Sequence, residues 1–384
     1  MNYILLDPPP ERFYPFTLTR PLAEMRVFGG TIKEIWEKKL GVEVSHLTRP
    51  GLSDLYPTKW SKENIIIYSN INPFQFCCFS PLKGPSESVY TSGDFLNTKE
   101  KIGWSSAFDL IKEKYANLYN DEDTCEMIRI ENNRLWNLSN FISHFFEGLL
   151  RDQIFLTKNH SNLTKLDCSK SIFFNDDDGP ILVEEGVVIM EGAMIRGPVH
   201  ICEGSIIKMG AKIYGPTVIG PHCKIGGEVS NSIFLGYSNK AHDGFLGHSI
   251  IGEWCNIGAG SSNSNLKNNY DTVKLWDYET KKFIDSGEQF LGLFLGDHSK
   301  CAINTSFNTG TTVGVNCNIF GSSFPRNYVP SFSWGGSSGY KDYKVEKAIE
   351  TAKKVMSRRS IKMSSHYENM LIEVFHMTSS FRFY

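Results

Sequence analysis

Residues 183–225 read VEEGVVIMEGAMIRGPVHICEGSIIKMGAKIYGPTVIGPHCKI. Val183, Ile189, Ile195, Ile201, Ile207, Ile213, Ile219 and Ile225 fall at every sixth place of this stretch. Gly192, Gly204, Gly210, Gly215 and Gly220 stand between them. A step of six is neither the helical period nor plain strand alternation. It marks a parallel β-helix, in which each hexad is one short strand plus one corner. The aliphatic residue points into a narrow core, and the small residue lets the chain turn. Three hexads make one triangular coil, so stacked strands lie ~4.8 Å apart. The open ends of such a prism need cover, and the flanking N-terminal region and C-terminal helices are the expected caps.

Outward from this stretch the beat is interrupted twice. After Ile225 it slips by two residues and is expected to resume at Ile233, then Asn239, Phe245, Ile251 and Ile257. Residues 263–288 are polar and charged, after which Leu295, Cys301, Phe307, Val313 and Ile319 restore it. Insertions in a solenoid leave as loops from a corner, often on the binding face.

Three regions separate by pattern. Residues 1–165 mix short apolar runs (Ile4–Leu6, Ile65–Tyr68) with helix-like stretches (Thr31–Leu40, Phe141–Ile154), which predicts a layered α/β domain. Residues 166–335 carry the hexads. Residues 336–384 begin with a Gly/Ser hinge at Gly335–Gly339 and then read as helices over Val345–Met356 and Tyr367–Met377. The formal net charge of −2 over 384 residues gives no broad basic field for nucleic acid. Nine cysteines without paired spacing argue for reduced thiols and a cytoplasmic setting. Tyr3–Leu6 follows the start without a basic run, so no signal peptide is expected, and no apolar run reaches the ~18 residues of a membrane span.

Chemistry-bearing residues crowd around the long loop. Asn239-Lys240-Ala241-His242-Asp243-Gly244-Phe245-Leu246-Gly247-His248 is followed by Asn256-Ile257-Gly258-Ala259-Gly260 and by Asn263 to Leu275. An imidazole at a corner can take a proton from an amine that attacks a thioester. Backbone N–H groups can stabilise the oxyanion. Asn and Lys can hold a sugar and its phosphate. His242 and His248 are six apart and fall on successive faces, so no three-histidine zinc site is expected.

The run from His242 to Lys274 resembles the acetyltransferase half of the bifunctional N-acetylglucosamine-1-phosphate uridylyltransferases/glucosamine-1-phosphate N-acetyltransferases, and the archaeal-type sugar-1-phosphate nucleotidylyltransferase/acetyltransferases still more. Those proteins carry His-Leu-x-Tyr-Leu/Val-Gly-Asp, then Asn-Ile/Leu-Gly-Ala-Gly-Thr, then Asn-Leu/Tyr and a loop ending near Val-Lys. Here His242–His248, Asn256–Ser261, Asn265-Leu266 and Val273-Lys274 follow that order, and Asp285-Ser286-Gly287, Leu291-Gly292 and Leu295-Gly296-Asp297 extend it. The resemblance covers roughly residues 180–325. It implies a left-handed prism, a homotrimer and acetyl-CoA as donor. It places His242 as general base and Asn265 on the sugar and its amine. Lys274 falls on a loop lysine, with Lys240 and Lys267 as further candidates for the phosphate. Asn256 and Ala259 lie beside the thioester and pantetheine arm, and Gly321 lies further along it. The family tyrosine is Phe245 here, and a second loop lysine is Asp271.

The N-terminal region resembles the nucleotidylyltransferase half, which implies a Rossmann-type domain. Arg12, Pro15, Thr17, Arg20 and Pro21 stand at family-like places, making Arg12, Thr17 and Arg20 candidate nucleotide contacts. The family's phosphate loop is glycine-rich, whereas Pro8, Pro9 and Pro10 lack an N–H to donate. Magnesium is expected only if this domain is active. The leading expectation is an acetyl-CoA-dependent N-acetyltransferase acting on an amino-sugar phosphate. Its alternatives are a sugar-1-phosphate nucleotidylyltransferase, with the β-helix for assembly, and a non-catalytic sugar-nucleotide sensor or scaffold.

Overall fold

The computed structural model describes residues 2–8, 10–69, the backbone of 95–98, 101–107 and 171–384. The helix-like stretch Phe141–Ile154 lies outside the described residues. The chain divides into two compact units. One takes in Met1–Pro10, Arg20–Met25 and Gly30–Arg134, and the other Glu11–Thr19, Arg26–Gly29 and Leu135–Tyr384.

The first unit is built on the apolar strand Asn2–Leu6, which pairs in parallel with Val44–Leu47 on one side and Asn64–Tyr68 on the other. Phe95–Thr98 adds an antiparallel edge to Asn64–Tyr68. Helix Ile32–Leu40 begins at Thr31, whose hydroxyl accepts the Glu34 N–H while the Glu34 carboxylate accepts the Thr31 N–H. This reciprocal cap satisfies two donors that the first turn leaves open. The helix ends at Gly41, left-handed at φ 68°. Ile4, Leu6, Ile32, Trp36 and Ile66 are buried together in this strand–helix–strand layer.

The second unit is the β-helix. Its three faces are parallel sheets of five, eight and nine strands, the last edged by an antiparallel hairpin strand. The inward ladder of one face runs Val183–Ile201–Ile219–Phe234–Ile251–Leu295–Val313–Val329, partner to partner. The eight residues at every sixth place of the opening stretch, Val183 to Ile225, all lie in this core. Leu295, Cys301, Phe307, Val313 and Ile319 do as well.

Between the interruptions the expected register is off by one. The inward residues are Phe234, Lys240 and Leu246, because Ile219 pairs with Phe234, Ile225 with Lys240 and Val229 with Leu246. Asn239 and Phe245 point outward, opposite Lys224 and Glu228. From Ile225 the inward residues run to Val229 and Phe234, steps of four and five where six is regular. The chain is thus three residues short where a gain of two was expected, and a shift of one exchanges inside for outside.

One corner of the prism is a file of left-handed residues. Gly204, His222, Tyr237, Trp254, His298, Asn316 and Phe332 all have φ between 53° and 63°. A left-handed residue other than glycine costs about 1 kcal/mol or more. Ring stacking offsets it here: Tyr237 and Trp254 lie 4.2 Å apart at 11°, with His222 5.0 Å from Tyr237 and His298 6.1 Å from Trp254.

The expected Gly/Ser hinge is a tight hairpin, in which Ser333–Gly336 pairs antiparallel with Gly339–Asp342. It closes the end of the nine-stranded face. Helices Val345–Ser357 and Ser365–Met377 lie along a flank instead of capping an end. Arg359 donates to Asn239 at 3.1 Å, Tyr367 hydroxyl meets His298 Nε2 at 3.0 Å, and Phe375 packs edge-on to Phe332. The early segments of this unit are fastened to it too: Thr19 donates to Asp297 at 2.7 Å, and Tyr14 packs edge-on to Tyr278. Among the described residues no helix is long and apolar enough to cross a membrane.

Candidate active site

Asn263 organises the region. Its side-chain oxygen accepts the Gly247 N–H at 2.9 Å and its amide nitrogen donates to the Gly247 carbonyl at 3.0 Å. Phe245 N–H donates to Ser262, and Gly292 N–H to the His248 carbonyl. Residues 245–248 are thus held by hydrogen bonds to 262–263 and 292. Beyond Asn263 the chain leaves the prism as an excursion whose hairpin pairs Lys274–Asp277 with Lys282–Asp285. Trp276 anchors it by stacking on Tyr328 at 4.0 Å.

His242 stands exposed on the turn between Lys240 and Phe245. Its backbone is tied down from inside the prism: the Lys240 ammonium donates to the His242 carbonyl at 2.6 Å and to the Gly226 carbonyl at 3.0 Å. Lys240 is 2% exposed, so this candidate phosphate ligand faces the core and acts on the turn. Asn265 is directed to His248, with its amide nitrogen 2.9 Å from Nδ1. Lys267 donates to the Thr272 carbonyl, and Lys274 is exposed. Both lysines bear on Asp285, whose carboxyl is held below its ordinary value first by the Gly287 N–H and the Thr272 hydroxyl, then by their charges. Phe245 is half-buried and outward-facing. Asn256 is exposed. Ala259 and Gly321 lie two residues past the paired row Ile257–Cys301–Ile319, in line with exposed Ile303. Small and apolar surface along this line fits an extended thioester arm.

Burial pulls the Lys240 ammonium down to about 8. An unfolded lysine keeps its proton to about 10.4. Between those values the unfolded chain binds more protons, so the Lys240 contribution to stability rises with pH, by at most about 1.4 kcal/mol per unit. Lys300 is lowered to about 8 by the same cause. The stability difference between wild type and Lys240→Met, from denaturant unfolding, is therefore expected to grow in favour of wild type from pH 8 to 9.5. A difference flat with pH would exclude the lowered pKa of Lys240.

A second cluster lies in the same unit. Glu184, His200 and Cys202 offer three ligand atoms within 4.8 Å of one another. His200 Nε2 is 2.8 Å from Glu184, its Nδ1 accepts the Gly29 N–H at 3.2 Å, and Arg26 lies 3.6 Å from the Cys202 sulfur. A metal on Nε2 would push the ring proton onto Nδ1, against the Gly29 N–H, beside a guanidinium. The donor set does not fit a cation; it clamps Arg26–Gly29 to the β-helix. Burial raises the Glu184 carboxyl, but its bonds to His200 outweigh that and hold it at about 2.

In the first unit, Asp7 ends the central strand, where ligands of open α/β sheets bind. Its two oxygens accept the Leu22 N–H at 2.9 Å and the Thr48 hydroxyl at 2.5 Å. Burial raises its carboxyl to about 6. Each carboxylate oxygen keeps a further lone pair, so these two bonds fix the orientation of Asp7 and leave it able to ligate a cation. Of the candidate nucleotide contacts, Arg20 is buried in this unit. Thr17 is buried in the other unit, where Arg12 lies 3.6 Å from Glu279.

His248, Phe290 and Asn263 were not among the expected site residues. The signal for His248 was present, since it replaces the aspartate that ends the family's His-Leu-x-Tyr-Leu-Gly-Asp run.

Residues 3–139 match the family model described as sugar nucleotidyl transferase. The bifunctional sugar-1-phosphate nucleotidylyltransferase/acetyltransferase of Sulfurisphaera tokodaii is 35% identical over 144 residues, which are 37% of this chain and 35% of that one. The bifunctional protein GlmU of Methanocaldococcus jannaschii is 36% identical over 141 residues, 36% of this chain and 34% of that one. The solved polySia-specific acetyltransferase NeuO aligns with 50% of this chain and 98% of its own, at 14% identity and a TM-score of 0.30, too low to add to the fold described above. This chain spans about a third of the length of those two curated relatives. Over the matched stretches it is similar in sequence to the sugar nucleotidyl transferases and to the bifunctional sugar-1-phosphate nucleotidylyltransferase/acetyltransferases.

Proposed function

We propose that this chain transfers an acetyl group from acetyl-CoA to the amine of an amino-sugar phosphate of the glucosamine 1-phosphate kind. What supports the reading is the arrangement around the excursion. A tethered turn presents His242, and Asn265 is held in place by a second imidazole. Lys267 and Lys274 lie beyond it on the same loop. In this reading the amine attacks the thioester carbonyl, and His242 takes the proton released by the nitrogen. The C–S bond breaks, and the thiolate leaves with a proton. Lys274 and Lys267 face the sugar phosphate, and Asn256, Ala259 and Gly321 line the path of the pantetheine arm. The site is completed by a neighbouring copy in a homotrimer. The setting is cytoplasmic, where the buried free thiols Cys202, Cys223, Cys255, Cys301 and Cys317 stay reduced.

The test is thiol release from acetyl-CoA with glucosamine 1-phosphate and a panel of related amino sugars. Acceptor-dependent release is expected, and none with any acceptor overturns the reading. A second reading, sugar-1-phosphate nucleotidyl transfer with magnesium, is favoured by the family match over residues 3–139. Pro8, Pro9 and Pro10, which have no N–H to offer nucleotide phosphates, stand against it. Binding of UTP, dTTP or GTP to the intact chain decides it, and no binding of any of the three removes it.

A further inference from the structure

His248 lies six residues beyond His242, in left-handed backbone at φ 50°. Its ring rests on Phe290, with centroids 5.2 Å apart and planes at 28°. The Asn265 amide nitrogen lies 2.9 Å from Nδ1. An amide NH₂ only donates, so Nδ1 accepts through its lone pair. The proton of a neutral ring is then on Nε2. Burial is the one influence moving this ring, and it lowers its pKa from the ordinary histidine value. The imidazole is therefore neutral near pH 7 and locked in one tautomer. Nε2 makes no hydrogen bond to a described residue. Beside it Phe290 is 42% exposed, a large apolar ring left in water.

A neutral donor next to an exposed aromatic ring matches the two sides of a pyranose. The sugar offers hydroxyl oxygens at its rim and an apolar C–H face. We propose that His248 is a substrate-binding residue of the acceptor subsite: its Nε2–H donates to a hydroxyl oxygen of the acceptor sugar while Phe290 packs against the sugar's C–H face. Asn265 is then a positioning residue, because its N–H fixes which nitrogen of His248 carries the proton. Its own side-chain oxygen stays available to the sugar. This assignment rests on the amino-sugar reading and leaves proton abstraction to His242.

The test joins a tautomer measurement to kinetics on the full-length chain. Nitrogen-15 histidine spectra at pH 7 should show His248 protonated on Nε2 and bare on Nδ1. Asn265→Asp supplies only acceptors, so it should move the proton to Nδ1. His248→Ala and Asn265→Asp should each raise the acceptor KM about tenfold, the scale of one lost hydrogen bond. The KM for acetyl-CoA should stay where it is. His248→Gln keeps an N–H donor and should recover part of the loss, which a merely structural role would not predict. An Nδ1–H or doubly protonated His248 in the wild type, or an unchanged acceptor KM in His248→Ala, overturns the proposal. If the wild type acetylates no amino sugar, the acetyl-transfer reading fails separately. Calorimetric titration with glucosamine 1-phosphate then decides: weaker binding by His248→Ala supports the subsite, while equal binding or none overturns it.

Discussion

His242→Ala is expected to lower kcat/KM for acetyl transfer about 10²- to 10⁴-fold, the usual worth of a positioned general base. The melting temperature should not follow. His242 is exposed, and what holds the turn is its carbonyl, which accepts from Lys240 and survives the substitution. Loss of rate without loss of fold is the signature sought. The two histidines should also part by parameter. His242→Ala strikes kcat, because proton removal belongs to the transition state, whereas His248→Ala strikes the acceptor KM. Unchanged turnover in His242→Ala would end its role as base. The measurement is steady-state thiol release, with thermal unfolding of the same preparations as control.

Phe234→Ala is expected to cost about 3–5 kcal/mol in denaturant unfolding, the range for emptying a buried aromatic site. Phe234 is 0% exposed and sits between Ile219 and Ile251 on the inward ladder. Its neighbours along the prism axis are fixed by strand pairing at the coil repeat, so the space cannot collapse by sliding one coil onto the next. A loss under about 1 kcal/mol would mean that Phe234 does not fill the core at this level. Ile233 would then be the residue facing inward, as the simple six-residue count has it.

That contrast shows where the sequence was legible. Eight aliphatic residues from Val183 to Ile225 announce the prism, because each hexad meets the same requirement of one apolar residue in and one corner out. The count fails once a corner shortens. Only fifteen residues separate Ile219 from its partner Phe234, and seventeen separate Phe234 from Ile251, where eighteen is regular. Both Ile233 and Phe234 are apolar, so hydrophobicity could not choose between them. The inward position of Lys240 hid the shift further, since a lysine on a core ladder looks like an error of register. It is tolerated because two carbonyls receive its ammonium.

The candidate site was legible in its parts and not in its pairings. Asn265 was expected on the substrate, and its loop left the prism where the beat stopped. That its amide nitrogen meets His248 depends on Asn263 holding Gly247, a contact between residues sixteen apart with no local signature. Lys240 was expected at the surface and lies inside, for the register reason already given. In the first unit the strands Asn2–Leu6 and Asn64–Tyr68 and the helix Ile32–Leu40 fell where the apolar runs Ile4–Leu6 and Ile65–Tyr68 and the helix-like stretch Thr31–Leu40 put them. The Gly/Ser run before the final helices suggested freedom, but two strands on either side turn it into a two-residue turn.

The file of left-handed rings along one corner gives the molecule an optical gauge. Trp254 lies face to face with Tyr237 on one side and His298 on the other, so its emission reports how far apart three successive coils stand. Stretching, fraying or occupancy of the neighbouring coils would register as a change in quenching at a single named indole.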